Sequence, residues 1–381
     1  QAVRLGPQAR AQGAPAAQRG SSRSPCPPAL LLPSLLSCPS LPFFTPGMAS
    51  ACGSAAAAAP ATFELGREAM RAFHRAVACL AKLGRDAAVI LRSEELVLHG
   101  ADDGHSSAMQ FAFRRSFFRA TPSAQGHPAA LEAHVVVSAR ALLVAIKGSP
   151  QRAGHADSLS LCLSGGGREP RQLVLKFGVR FGGSVRHRIP LLDLVPFLPG
   201  EPSAGPHAAA LSPGLLARVL DHCSPSRGAG AACDEVTVSA VPREGIRVRS
   251  RDLLGAGSGA EETKTEVLVQ RTDLEASSLD GQGGEVTFPG RGLRDFARAA
   301  DALARDLEAV GLAEGPPLLE LRFGVEGASV VCRLAAVLDG VVCSLQSFSA
   351  VLVVATRELP AELELTAPPA ATAAASAAPP T

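Results

Sequence analysis

The feature that most constrains the fold is a pair of similar segments far apart in the chain. Residues 173–180 read LVLKFGVR and residues 319–326 read LELRFGVE, and each run is followed by a short turn and a second apolar run. Alternation of apolar and polar residues is typical of strands, so each segment is predicted to be a hairpin. The similarity predicts a duplicated unit in which Phe177 and Phe323 occupy equivalent strands. The other interpretation is two unrelated hairpins.

Four further segments carry the helical period, in which apolar residues recur every three or four positions. They are residues 66–82, 138–147, 213–223 and 291–310. Most of the sequence between them alternates as strands. Each copy of the unit is therefore predicted to hold two helices and several antiparallel strands, which is an α+β fold.

Composition sets the predicted domain boundaries. Residues 196–213 contain five prolines and no periodicity, which predicts a connector between the copies. We predict an N-terminal domain at 61–195, a connector at 196–208 and a C-terminal domain at 209–358. The tail at 359–381 is rich in Ala, Pro and Thr and is predicted to be disordered.

Residues 1–60 leave two alternatives open. An arginine-containing stretch precedes the apolar run 29–32, as in signal and transit peptides. Prolines interrupt the apolar region 25–46 too often for a transmembrane helix, which needs about 20 uninterrupted apolar residues. The other alternative, a disordered leader over residues 1–60, is our prediction.

The net charge of +2 hides an uneven distribution. Residues 1–47 hold four arginines and no acidic residue, so the rest of the chain carries 33 basic and 35 acidic residues. This balance excludes binding of nucleic acid through a globally basic surface, but it allows segregated basic patches. The nine cysteines form no CxxC pair and no zinc spacing, which favours reduced thiols in a cytosolic or nuclear protein.

Basic residues are concentrated on one side of the predicted helices, opposite the apolar stripe. Several such stripes in equivalent positions predict a surface that binds the phosphate backbone of duplex DNA without reading its sequence. His74 is predicted to be a further polar residue of this surface. Asp295 and Asp301 border the last stripe and weaken it, and each stripe taken alone is equally an ordinary solvated face. The residues predicted to face DNA are Arg67, Arg71, Arg75, Lys82, Arg140, Lys147, Arg218, Arg291, Arg294, Arg298 and Arg305.

No motif indicates an enzyme, a metal site or a cofactor. The chain contains no GxxxxGK and no GxSxG sequence. Residues 255–260 match the dinucleotide-binding pattern faintly but precede a strand, so a flexible loop is favoured. Asp102 and Asp103 lie in a predicted turn, which favours solvated carboxylates over a metal site or an acid–base pair. We predict no catalytic residue, no metal and no cofactor.

Four stretches of the sequence, in the right order and spacing, resemble the DNA sliding-clamp family. More narrowly, they resemble the Rad-nine subunit of the nine-one-one checkpoint clamp, which is related to the replicative clamp PCNA. The KFGVR sequence at residues 176–180 is the most specific match, and it is supported by Phe117 and Phe118 after an aromatic strand. The resemblance covers about residues 61–358. The matching stretches are residues 63–84, 111–118, 176–180 and 217–220.

The resemblance implies a DNA-clamp fold in which helices line a ring and sheets form its outside. It implies a non-enzymatic subunit of a nuclear heterotrimer that encircles duplex DNA in the DNA damage checkpoint and in DNA repair. The implied partners are the Rad-one and Hus-one clamp subunits and a clamp loader carrying the Rad-seventeen subunit, with no membrane.

Two alternatives to this function stay open. One is a PCNA-like homotrimeric processivity clamp, and the other is an unrelated soluble enzyme or scaffold. The sequence departs from the Rad-nine family in its tail, because little follows Glu358 and Ser376 is the one serine there. Either a truncated chain or a missing signalling tail is expected.

Overall fold

The four helices form where the helical period predicts them. They are α1 (Arg67–Leu83), α2 (Ala139–Lys147), α3 (Pro213–His222) and α4 (Gly290–Val310). Each turns its apolar stripe into the core, as Phe73 and Leu80 of α1 do. Ser138 and Ser212 cap α2 and α3 by accepting hydrogen bonds from backbone N–H groups of the first turn, which suits serine at this position.

A computed structural model describes most of the chain between Thr62 and Thr356. All of the described residues fall in one compact unit. The predicted leader, the predicted tail and the Gly-rich segment 255–260 lie outside them. The described residues are 62–120, 133–148, 155–164, 171–180, 182–195, 205–223, 235–253, 262–279, 284–311, 316–324, 328–338, 341–345 and 347–356.

The first half of the described chain contributes eight strands. A 3₁₀ turn at Arg115–Phe117 follows the fourth of them. The strands are β1 (Thr62–Gly66), β2 (Asp86–Leu91), β3 (Glu95–Ala101), β4 (Ser107–Arg114), β5 (Ala133–Ser138), β6 (Ala156–Ser164), β7 (Gln172–Val179) and β8 (Ser184–Pro190).

The second half contributes ten strands. Its 3₁₀ turn, at Arg271–Asp273, again follows the fourth strand of the half. The strands are β9 (His207–Leu211), β10 (Glu235–Val241), β11 (Gly245–Leu253), β12 (Glu262–Gln270), β13 (Ala276–Ser278), β14 (Glu285–Pro289), β15 (Pro317–Phe323), β16 (Val330–Leu338), β17 (Val341–Ser344) and β18 (Phe348–Val354).

These strands form three antiparallel sheets. One sheet has the order β1-β6-β7-β8 and another has the order β12-β11-β10-β14. The largest runs β13-β9-β15-β16-β18-β4-β3-β2-β5, with β17 beside β16, and it joins the two halves through β18 and β4. Helices pack on these sheets, α1 on β3 and β6, and α4 on β15 and β18. The predicted α+β fold, with two helices in each half over antiparallel sheets, is confirmed.

The sequence repeat does not coincide with the structural repeat. In each half, a helix follows the first strand, three strands come next, and the strand directly after the second helix pairs with the first strand. That strand is β6 in the first half and β15 in the second. Phe323 lies in β15, but Phe177 lies in β7, whose equivalent is β16. The two predicted hairpins exist, as β7–β8 and β15–β16, but the prediction that the phenylalanines occupy equivalent strands is wrong.

The predicted connector at 196–208 also needs a correction at its end. His207 and Ala208 begin β9, which pairs with β15 and β13. The sequence HAAAL gave no strand signal, because it contains neither β-branched nor aromatic residues. The division of the chain into domains at 61–195 and 209–358 stays a prediction.

Aromatic side chains fill the joint between β4 and β18. The two strands pair antiparallel from Phe113 opposite Phe348 to Ser107 opposite Val354. The ring of Phe113 lies 5.1 Å from that of Phe348 and 4.8 Å from that of Phe117, measured between ring centroids. The joint is thus a continuous piece of hydrophobic core rather than a contact between two finished surfaces.

Buried His99 makes the stability of the fold depend on pH. Its side chain on β3 is 2% exposed, and burial lowers its pKa to about 4, below the ordinary 6.5. The folded protein therefore favours neutral His99. The contribution of His99 to the stability is fully present above pH 6.5 and is lost as the pH falls from 6.5 towards 4. We expect His99 to reduce the free energy of unfolding by about 2 kcal/mol between pH 7 and pH 5.

Denaturant titrations at a series of pH values, on the wild type and on His99→Gln, would measure this effect. The difference in the free energy of unfolding between the two proteins should change from pH 7 to pH 5, whatever the absolute stability of the variant. A difference that stays constant from pH 7 to pH 5 would show that His99 does not titrate in this way.

Candidate nucleic-acid interface

The four helices form one layer. Helix α1 packs against α2 on one side and against α4 on the other, and α4 packs against α3, so the order is α2-α1-α4-α3. The backbone N–H of Ala139, at the start of α2, donates to the carbonyl of Arg85, just beyond the end of α1. The two helices are therefore antiparallel. The layer crosses from the first half of the chain to the second between α1 and α4.

All eleven basic residues predicted to face DNA lie on this layer, on the sides of the helices that are not buried. Arg67 and Arg294 are partly buried, and the other nine are exposed. Arg85, which follows α1, is exposed as well and pairs with Asp103 at 3.2 Å. The exposed sides were predictable because a basic residue opposite an apolar stripe must point away from the core.

Three of these residues are tied to a neighbouring helix. Arg75 of α1 pairs with Asp306 of α4. Lys82 Nζ of α1 lies 3.4 Å from Asp295 Oδ1 of α4. Because the partners run in opposite directions along the two helices, α1 and α4 are antiparallel. These two pairs place ionic contacts across the boundary between the two halves of the chain.

The third interhelical pair joins α4 to α3. Arg298 lies 2.6 Å from Asp221, a residue of the last turn of α3. Asp301 of α4 also approaches α3, because a Cβ atom on Gly214 would lie only 2.9 Å from its Oδ1 atom. A larger residue at 214 would therefore require the Asp301 carboxylate to shift. None of these partners could be found from sequence, since they are brought together by helix packing rather than by helical spacing.

Two of the other predicted residues form ion pairs within a single helix. Arg305 pairs with Asp301 at 2.9 Å and Arg71 approaches Glu68 at 3.9 Å, both within one helix. Pairs this exposed stabilise a protein by about 0.2–1 kcal/mol, so a phosphate can compete for their basic partners. In the part of the chain that the structure describes, the predicted DNA-facing residues outside any ion pair are Arg67, Arg140, Lys147, Arg218 and Arg291.

His74 lies in a locally positive region of the layer. Burial lowers the pKa of His74, and the positive charges of Lys147 and Arg75 lower it further. This influence places Lys147, the last residue of α2, near the middle of α1. His74 is therefore neutral near pH 7, and an approaching phosphate would favour its protonated form. Its predicted role on a DNA-facing surface stays a prediction.

The other groups that could carry chemistry have structural roles. Asp102 accepts hydrogen bonds from the Ser106 hydroxyl and the Ser107 backbone N–H, so it builds the turn between β3 and β4. Burial raises the pKa of the Cys79 thiol to about 12 and that of Cys223 to about 11, which keeps both thiols protonated at neutral pH.

The described ranges contain neither a metal-binding cluster of side chains nor a helix that could span a membrane. No three His, Cys, Asp or Glu side chains meet there in an arrangement that could hold a metal ion. None of the four described helices combines the length and apolar character needed to cross a bilayer.

Comparisons with known proteins agree with the observed architecture. Neither a protein-family model nor a curated protein matches this sequence. Among solved structures, the chain is similar to PCNA from Thermococcus kodakaraensis, with a TM-score of 0.53 and 15% sequence identity. The similarity covers 78% of this chain and 100% of that chain. The chain therefore shares the PCNA-like sliding-clamp fold.

Proposed function

We propose that this chain is a non-enzymatic subunit of a heterotrimeric ring that encircles duplex DNA. In this proposal the ring is a platform for the DNA damage checkpoint and for DNA repair in the nucleus. The other two subunits are Rad-one and Hus-one, and a clamp loader with the Rad-seventeen subunit places the ring on DNA. The chain contributes two similar domains, at about 61–195 and 209–358, to a ring of six.

The joint between β4 and β18 carries the ring proposal. Among the described strands, β8 and β12 each have a strand neighbour on one side only. By position in the sheets, β8 is the equivalent of β18, since the order β1-β6-β7-β8 corresponds to the order β9-β15-β16-β18. Likewise β12 is the equivalent of β4. Each chain thus contains one complete joint, between β4 and β18, and two edge strands, β8 and β12, that are equivalent to the strands of that joint. Head-to-tail association with neighbouring subunits would pair these edge strands in the same way.

The exposed edge of β8 has the character of an incomplete core. Val185 lies opposite Phe177 in the register of β7 and β8, so its side chain points to the same face as that buried ring. It is nevertheless 38% exposed, because none of the described strands lies beyond β8. In the equivalent strand β18, the inward-facing Phe348 is fully buried by β4. A neighbouring subunit that adds a strand beside β8 would bury Val185 in the same way.

The helix layer supports the DNA part of the proposal. A row of four helices presents exposed basic residues without a groove-reading element, which suits sequence-independent contact with phosphates. The preference for a Rad-nine subunit rests on the resemblance of residues 176–180 and of Phe117 with Phe118. The second candidate, a PCNA-like homotrimeric clamp, is favoured by the similarity to an archaeal PCNA.

Light scattering on the purified chain, alone and after co-expression with Rad-one and Hus-one, tests the assembly. We expect a monomer of about 39.0 kDa for the chain alone and a ring of three different subunits with both partners. The ring should stay on closed circular DNA and be lost when the circle is cut, because a ring slides off a free end.

Two results would contradict parts of this proposal. A stable trimer of the chain alone would favour the homotrimeric clamp over the heterotrimer. Absence of any ring, or equal retention on circular and linear DNA, would contradict encirclement altogether.

A further inference from the structure

The hairpin formed by β7 and β8 is strongly basic. From residue 171 to residue 190 the sequence contains five Lys and Arg residues and no acidic residue. The equivalent part of the second half, from β16 to β18 at residues 330–354, contains one arginine and one aspartate. The charge is therefore a property of this hairpin and not of the fold. The five basic residues are Arg171, Lys176, Arg180, Arg186 and Arg188, and all are exposed.

Three of these side chains share the face of the sheet that points away from the core. Lys176 lies between Leu175 and Phe177, which are both buried, so its own side chain points outward. Arg186 lies directly opposite Lys176 in the register of β7 and β8. Arg188 is two residues further along β8 and therefore lies on the same face. We call Lys176, Arg186 and Arg188 the outer basic patch.

The described part of the chain does not neutralise the outer basic patch. None of its three side chains forms an ion pair with another described residue. Glu64 on β1 and Asp157 at the start of β6 are the acidic residues of this sheet, and neither pairs with the patch. Burial raises the pKa of the Cys162 thiol on β6, while Arg186 and Lys176 act to lower it, so their positive charge extends over this face. Like charges directly opposite each other on two strands are destabilising, so the hairpin carries an unrelieved repulsion.

The register of the sheets shows which residues hold the equivalent positions in the second half. Gly66 and Ser212 are the N-cap residues of α1 and α3, so the strands that end there can be aligned. Each row below follows residues that lie opposite one another across four neighbouring strands. The aligned rows are Glu64-Ser160-Lys176-Arg186 and Ala210-Glu320-Arg333-Val351.

The second half places a carboxylate where the first half has none. Glu320 is 4% exposed, contacts Arg333 on the next strand and lies 2.9 Å from Arg322. Ser160 occupies the position of Glu320 and carries no charge. Lys176 therefore lacks the anionic partner that the fold gives to Arg333, and a partner from outside the chain can supply it.

The position of the patch favours an acidic protein segment over nucleic acid. Helix α1 packs on β6 from the core side, so the helix layer and the patch lie on opposite faces of this sheet. A duplex that follows the helices cannot reach the patch. Basic residues also discourage unwanted pairing at an open edge, but Lys176 lies on β7, between β6 and β8.

The spacing of the patch fits an extended peptide. Arg186 and Arg188 are two residues apart on one strand, a separation of about 7 Å. The side chains at alternate positions of an extended peptide repeat on one face at the same distance. Two carboxylates at alternate positions can therefore face Arg186 and Arg188, and one of them also lies near Lys176.

We propose that the outer basic patch binds an acidic segment of a partner protein, in extended conformation, through carboxylates at alternate positions. The patch is formed within one chain, so the inference does not require the ring of the proposed function. A strand added beside β8 in a ring would leave the outward face of the hairpin open. The site is thus a docking position on the side of the sheet opposite to the helices.

A fluorescent peptide in which glutamate and serine alternate tests the inference. Its binding to the full chain is measured by anisotropy at low ionic strength, where exposed charges are least screened. The patch variant combines Lys176→Gln, Arg186→Gln and Arg188→Gln. The control variant combines Arg140→Gln, Arg218→Gln and Arg291→Gln, which removes the same charge from the helix layer. Thermal unfolding first establishes that both variants are folded.

The patch variant should bind the peptide about tenfold more weakly than the wild type, because three exposed ion pairs are lost. The control variant should stay within about twofold of the wild type, since its substitutions lie on the other side of the sheet. Absence of peptide binding to the wild type, or equal losses in the two variants, would overturn the inference.

Two further measurements separate the patch from a general effect of charge. Ser160→Glu gives Lys176 the carboxylate that Glu320 gives Arg333, so it should weaken peptide binding by about threefold or more. An unchanged affinity would contradict the role of Lys176. A labelled duplex of about 30 base pairs should lose affinity for the control variant but not for the patch variant. Equal loss of duplex binding in both variants would show that the patch is a nucleic-acid surface instead.

Discussion

Replacing Phe113 with Ala is expected to lower the free energy of unfolding by about 3–5 kcal/mol, the usual cost of truncating a fully buried aromatic ring. Phe113 is 0% exposed, and its ring contacts those of Phe73, Phe117 and Phe348, with centroids 5.5, 4.8 and 5.1 Å away. These partners belong to α1, the 3₁₀ turn and β18, so the cavity would open in the joint between the halves. Since domains are stable by only about 5–15 kcal/mol, this loss is a large fraction of the total stability.

Phe118→Ala is the matched control for this variant. Phe118 is only partly buried and packs against Phe63 with ring centroids 5.0 Å apart. Its truncation should cost clearly less than that of Phe113. Chemical denaturation of both variants would measure the costs, and equal costs would show that the β4–β18 joint contributes no special share of the stability.

Val185→Asp is expected to prevent ring assembly while the isolated chain stays folded. In the free chain the new carboxylate would lie at a 38% exposed position and keep contact with water. In a ring, a strand of the neighbouring subunit would cover it, and burying an unpaired charge costs several kcal/mol. We therefore expect ring formation with co-expressed Rad-one and Hus-one to fall by about 100-fold or more.

Val144→Asp is the control for the edge variant. Val144 is 60% exposed on α2 and lies on no strand edge, so the same substitution there should leave assembly unchanged. Size-exclusion chromatography with light scattering compares the two. Assembly of Val185→Asp at the wild-type level would show that β8 does not form the proposed joint.

The helices were predictable because their information is local. An apolar stripe of period 3.6 fixes both the existence of a helix and its buried face, and serines capped α2 and α3 as their sequences suggest. The basic side of each helix followed from the same pattern. The acidic partners of these basic residues could not be predicted from that pattern, since Asp306 and Asp221 reach Arg75 and Arg298 only through packing between helices.

The strands were predictable as elements but not as positions in a sheet. Residues 173–180 and 319–326 share an alternating pattern and the tripeptide FGV. This pattern predicts a strand, but it does not predict which neighbouring strands it pairs with. Phe177 and Phe323 are both fully buried, so the same local chemistry serves two different strands of the duplicated unit. Sheet order is set by contacts distant in sequence, such as Phe113 with Phe348, and no local pattern reports them.

The pairing of β4 with β18 has a consequence for synthesis on the ribosome. About 235 residues separate Phe113 from its partner Phe348. At translation rates of about 5–20 residues per second, β4 waits on the order of ten to fifty seconds for the strand that completes its edge. During that time a nascent chain carries an open strand edge rich in Phe and Met, which is the kind of edge that pairs with other chains. The interval before the last strand is made is therefore when this protein is most exposed to aggregation.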